Sequence, residues 1–116
     1  MRKLLLLITF LYGVSCIGQT CETLPNTFSS YTVALTKITK ASFNFIDNVD
    51  TSRSSWIEGA NYYQCEDSVS FLIIKTTSKS YIHKNVPLNT WYAFKDATSF
   101  GKFYNKHLKG RFQLAI

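Results

Sequence analysis

The sequence predicts an α+β fold, in which an antiparallel meander of three or four strands is followed by two short helices packed on one face. Between residues 55 and 86, apolar and β-branched stretches alternate with short polar turns, which indicates consecutive strands. Pro87 then ends the sheet because it cannot donate a ladder hydrogen bond. Large apolar residues at helical spacing follow, so we expect the strands first and the helices last.

The first eighteen residues have the pattern of a secretory signal peptide. A positive start at residues 1–3 precedes an apolar run at 4–12 and small or weakly polar residues at 13–18. The run is too short to span a membrane, so we expect cleavage after Gly18, export to the periplasm or the exterior, and no transmembrane segment in the mature chain. The alternative is a lipoprotein anchored at Cys16, because the preceding residues weakly resemble a bacterial lipobox.

Two cysteines, Cys21 and Cys65, remain after the leader is removed. In an oxidising compartment they are a natural pair. Their disulfide would close a loop of about 45 residues and contribute about 4 kcal/mol in the loop-entropy description. The alternative is a buried Cys65 and a free thiol near the N-terminus.

Residues 19–53 are expected to form an N-terminal extension with one or two strands. The alternation at 31–35 and again at 43–45 favours strands, and the polar segment 47–55 favours a turn. The meander itself is expected to have three strands, at residues 55–63, 69–76 and 80–86, joined by turns at 65–68 and 78–79.

Pro87 suits the first turn of a helix that carries Trp91 and Phe94 on one side. Thr98 or Ser99 is expected to cap a second helix, which Gly110 ends. The apolar stripe of that helix comprises Phe100, Phe103, Tyr104 and either His107 or Leu108. Residues 111–116 are expected to return to the sheet as a short strand.

Between residues 54 and 112 the chain contains an ordered set of motif positions, at Tyr81, His83, Pro87, Ser99, Gly101, Asn105 and Gly110. These motifs resemble the KTSC domain, so we expect a KTSC-like domain at 54–116. The module occurs alone in many bacteria and at the C-terminus of some lysyl-tRNA synthetases. His83 departs from the family, which has a second Tyr there. The resemblance implies no established activity, and the synthetase context suggests RNA binding.

Charge divides unevenly along the chain, whose formal net charge is +6. From Val69 onward there are eight basic residues against the single acidic Asp96. Lys102, Lys106 and Lys109 are spaced i, i+4, i+7, so an α-helix would place them on one side, and Arg111 extends that side. This stripe is the candidate anion-binding site, and the alternative is an ordinary solvated helix face.

Catalytic and metal-binding signals are poor. His83 and His107 lie in no recognisable catalytic motif, and they have no cysteine or carboxylate partner at ligand spacing. We therefore expect no enzyme activity, no cofactor and no metal.

The sequence is best interpreted as that of an exported, non-enzymatic binding module. Its expected partner is an anionic envelope polymer, a lipid surface or another protein. The alternative is an RNA-binding module, which export would disfavour because nucleic acid is scarce as a partner outside the cytoplasm.

Overall fold

The computed structural model describes residues 20–66, 69–114 and 116. The predicted signal peptide at residues 1–18, including Cys16, lies outside the described residues. So do Asp67 and Ser68 of the predicted hairpin turn.

The centre of the protein is a four-stranded antiparallel sheet in which consecutive strands are neighbours. The strands are β1 (Phe45–Asn48), β2 (Ile57–Gln64), β3 (Ser70–Thr76) and β4 (Ser80–Lys84). The register pairs Tyr62 with Leu72 across β2 and β3, and Leu72 with His83 across β3 and β4. The predicted meander is confirmed, although β1 begins at Phe45 rather than at residue 43.

Two short helices follow the sheet and pack on one of its faces, as predicted. Helix α2 (Leu88–Lys95) begins after Pro87, and α3 (Phe100–Phe103) continues directly into a π-helical turn (Tyr104–Leu108). The Ser99 hydroxyl accepts a hydrogen bond from the Lys102 backbone N–H and so caps α3. The core on this face includes Ile57, Ala60, Tyr62, Leu72, Ile74, Trp91, Phe94, Phe100, Tyr104 and Leu108.

The strand predicted at 31–35 is wrong, because this segment lies in a ten-residue helix, Tyr31–Lys40. We label it by position along the chain as α1. Ser30 accepts the Val33 N–H at 3.1 Å and caps the helix, and Ala34 and Ile38, one turn apart, are fully buried. Tertiary burial at helical spacing outweighs the local β preference of the segment. The helix packs on the sheet face opposite α2 and α3, in a core with Phe28, Phe71, Ile73, Ile82 and Leu114.

The short strand predicted at 111–116 is also wrong. Its described residues do return to β4, through an isolated bridge between Gln113 and His83, a 2.7 Å hydrogen bond from Lys84 N–H to the Phe112 carbonyl and a contact of the His83 ring with the Arg111 carbonyl, but they form no continuous ladder. Gly110 and Phe112 both have positive φ, at 76° and 53°, and these left-handed positions interrupt an extended strand.

A disulfide joins Cys21 and Cys65, as predicted, with a Cα–Cα distance of 5.8 Å. The bond links a short 3₁₀ turn (Cys21–Thr23) covalently to the residue that follows β2, and both cysteines are buried. Within the described ranges, no helix combines the length and apolarity that crossing a bilayer requires.

Candidate functional site

The four predicted anion-binding residues are all exposed at the C-terminal end of the fold. Lys102 lies in α3, Lys106 in the π-helical turn, and Lys109 and Arg111 directly after it. We call this set the basic edge. In the part of the chain that the structure describes, none of them forms an ion pair, and the one ion pair found joins Lys95 to Asp47 at 2.7 Å.

The backbone that carries the basic edge is not a regular α-helix, although the prediction of a shared side assumed one. The Lys109 N–H donates to the carbonyl of Tyr104, five residues earlier, at 2.8 Å, which defines the π-helical turn. A π turn holds more residues than an α turn, so the three lysines do not keep α-helical register. Lys102 lines a cleft beside Trp56, whereas Arg111 lines a different one beside Phe103 and His107.

His83, the residue that departs from the family motif, lies in β4 and is buried against the π-helical turn. Its Nδ1 lies 3.0 Å from the Arg111 carbonyl oxygen, and its Nε2 lies 3.0 Å from the Tyr104 hydroxyl. Since a carbonyl only accepts, the neutral ring donates from Nδ1 and accepts the Tyr104 O–H at Nε2. Burial lowers the pKa of His83, partly opposed by the bond to the Arg111 carbonyl. Burial likewise raises the pKa of Tyr104 to about 12.

The remaining motif residues serve local structure or line the surface. Gly101 packs against the Trp56 indole, and Gly110 takes the positive φ that follows the π-helical turn. Pro87 immediately precedes α2. The Tyr81 ring is half-buried, and the Lys79 Nζ lies 5.0 Å from its centroid in a cation–π contact. Asn105 is exposed and lines the same cleft as Lys102.

One group of potential metal ligands occurs among residues 20–66 and 69–114: Cys21, Glu22 and Cys65. The two sulfur atoms are bonded to each other, so they are not available as thiolate ligands. Glu22 alone is an exposed surface carboxylate.

Sequence reasoning missed Arg53, which the structure brings to the start of α3. Its guanidinium donates to the carbonyls of Ala97 and Thr98, at 2.7 and 3.1 Å, and lies 4.0 Å above the Phe100 ring. Arg53 stands in a polar turn far from α3 in sequence, so no local pattern indicates the contact. The only available sign was that it is the single basic residue between Lys40 and Lys75.

These observations define a small, disulfide-linked α+β domain with a meander sheet, helices on both faces and an exposed basic edge. Residues 68–112 match the family model of the KTSC domain. The match confirms, over these residues, the resemblance to the KTSC domain that the motif residues indicated. The match spans β3 to the end of the basic edge and begins later than the expected residue 54. No curated protein and no solved structure matches the chain.

Proposed function

We propose that the protein is an exported, non-enzymatic binding module that holds an anionic component of the cell envelope on its basic edge. The observation that carries this proposal is the exposure of four cations without an ion-pair partner among the described residues. Cations left unneutralised by the protein itself are free to bind an anionic partner.

The charge distribution around the basic edge supports the same partner chemistry. Asp96 is the only acidic residue from Val69 onward, so little negative charge from this half of the chain offsets the lysines. Positive potential of this kind attracts polyanions and anionic lipid surfaces, and salt screens it over about 8 Å at physiological ionic strength. Binding should therefore weaken steeply as salt is raised.

The disulfide and the predicted leader support a location outside the cytoplasm. Disulfides persist in oxidising compartments and are rare where thiols are kept reduced. The Cys21–Cys65 bond is buried, which suits a structural crosslink rather than a transient one.

A binding role is favoured over catalysis by the state of His83. Both of its ring nitrogens are engaged, one by the Arg111 carbonyl and one by the Tyr104 hydroxyl. The ring is also buried, with 6% of its surface exposed, so a substrate could reach its nitrogens only if the surrounding side chains moved.

The test measures binding of the oxidised protein to inorganic polyphosphate and to phosphatidylglycerol vesicles at several salt concentrations. In the test variant Lys102, Lys106 and Lys109 are all replaced by Glu. The matched control replaces the exposed Lys40, Lys75 and Lys79 by Glu, so that the net charge changes equally. A basic residue near an anionic surface contributes about 1 kcal/mol, so losing three should weaken binding roughly 100-fold or more.

The control variant should lose much less affinity than the test variant for at least one of these ligands. Equal losses in the two variants would show a response to net charge alone, and retained binding in the test variant would refute the basic edge as the site. Circular dichroism of both variants establishes that the fold is intact.

The same experiment tests the RNA-binding alternative if single-stranded poly-uridine RNA is included as a third ligand. Binding of RNA that persists at physiological salt and exceeds binding of both envelope-type ligands would favour the nucleic-acid module. RNA binding that salt abolishes would count against it.

A further inference from the structure

A cleft of about 430 Å³ opens beside the basic edge, between the loop at Arg53–Trp56 and the start of α3. This volume falls within the usual range of small-ligand sites. The residues that line it are Arg53, Ser54, Ser55, Trp56, Thr98, Ser99, Phe100, Gly101, Lys102 and Asn105. The lining holds two cations and, in the described part of the chain, no carboxylate.

Several hydrogen-bond donors of the cleft have no partner within the described residues. They are the Lys102 ammonium, the Asn105 amide, the Ser55 hydroxyl and the Trp56 indole N–H. A lining rich in donors and without anionic acceptors is complementary to a ligand that only accepts, such as an oxyanion.

Arg53 is held in place before any ligand arrives. Its two bonds to the Ala97 and Thr98 carbonyls and its position over the Phe100 ring fix the guanidinium plane. A guanidinium has five N–H donors, so others remain for a ligand, and their orientation costs little further entropy. Lys102 supplies the second charge from α3.

From this arrangement we infer that the cleft binds a phosphate monoester group. Two cations match the double negative charge that such a group carries near neutral pH, and the unpaired donors match its terminal oxygens. The inference rests on the proposed function and deepens it. Because Lys102 belongs to both the cleft and the basic edge, a polyanion lying along the edge would place a terminal phosphate in the cleft.

The two tryptophans make this inference testable by NMR. The Trp56 indole N–H lies at Gly101 on the cleft wall, whereas the Trp91 indole N–H is buried and bonded to Asp47 at 2.9 Å. Titration of the oxidised protein with phenyl phosphate should shift the Trp56 indole resonance saturably. The Trp91 resonance should remain in place and serves as the internal control.

Lys102→Gln removes one cleft cation without touching the core, and Lys40→Gln on α1 is its matched control. The apparent affinity for phenyl phosphate should fall at least tenfold in Lys102→Gln and stay unchanged in Lys40→Gln. An unmoved Trp56 resonance, or equal affinities in the two variants, would overturn the inference. Phenyl sulfate, a monoanion of similar shape, should bind more weakly, and equal binding would overturn the assignment to a phosphate dianion.

The failure of this inference is distinguishable from that of the proposed function. The double variant Lys106→Glu, Lys109→Glu could abolish polyphosphate binding while phenyl phosphate leaves the Trp56 indole resonance unshifted. That result would support anion binding by the basic edge and refute phosphate binding by the cleft. If phenyl phosphate moves Trp56 but this double change leaves polyphosphate binding intact, the cleft binds a phosphate and the basic edge is refuted.

Discussion

Replacing Gly101 by Ala should destabilise the protein, although the same change in an ordinary helix is stabilising. A Cβ built at Gly101 lies 2.5 Å from Nε1 of Trp56 and 3.1 and 3.2 Å from Cε2 and Cζ2. These atoms belong to a rigid indole that also packs edge-on against Tyr104, with ring centroids 5.8 Å apart. Movement of the Trp56 indole would therefore also disturb the buried Tyr104 ring.

Two opposing effects determine how much the Gly101→Ala substitution changes the free energy of unfolding. Ala in place of Gly within a helix gains about 1 kcal/mol, whereas overpacking a filled site costs about 1–3 kcal/mol and occasionally more. A 2.5 Å approach lies at the severe end of overpacking, so we expect a net loss of about 1–2 kcal/mol of unfolding free energy.

The measurement is urea unfolding of a double-mutant cycle with Trp56→Leu, which removes the three crowded atoms. In that background Gly101→Ala should become neutral or stabilising, giving a coupling of about 1–3 kcal/mol. Gly59→Ala in β2 is the control, because its Cβ would meet nothing closer than Lys75 Cβ at 3.8 Å. An equal loss from Gly101→Ala in both backgrounds would refute the clash as its cause.

Two more predictions concern the disulfide and the buried histidine. Cys21→Ser with Cys65→Ser should lower the unfolding free energy by about 4 kcal/mol, since the bridged residues are 44 apart in sequence; an unchanged urea midpoint would contradict this. Because burial lowers the pKa of His83 below its ordinary value of 6.5, the unfolded chain binds a proton first, and stability should fall as pH drops below about 6.5. Thermal unfolding from pH 8 to 5 should show this loss in the native protein and not in His83→Gln. The lowered pKa of Asp47 acts only below about pH 3.8, so it does not overlap with this window.

The meander and the two C-terminal helices were predictable because their signals are local. Pro87 marks the end of the sheet, Ser99 caps α3, and Gly110 follows the last helical turn with a positive φ. Each of these residues acts through its own backbone or its nearest neighbours in sequence, so a single sequence reveals the role.

The candidate site was less predictable because long-range contacts build it. The exposure of the basic edge follows from its sequence, but the π-helical turn that alters its winding leaves no clear local pattern. The cleft depends on Arg53 reaching carbonyls 44 and 45 residues away, which no spacing rule anticipates. The buried bond between His83 and Tyr104 likewise joins residues that only the folded chain brings together.

The sequence did contain one indication that helix α1 was needed. Phe71, Leu72, Ile73 and Ile74 are four consecutive apolar residues in β3, and neighbours along a strand point to opposite faces of the sheet. A continuous apolar strand therefore requires cover on both faces, whereas the two C-terminal helices can cover only one. Leu72 and Ile74 do pack beneath them, which leaves Phe71 and Ile73 to be buried by another element. The segment before β1 is the part of the chain able to supply that element, and in the structure Ala34 and Ile38 of α1 do so.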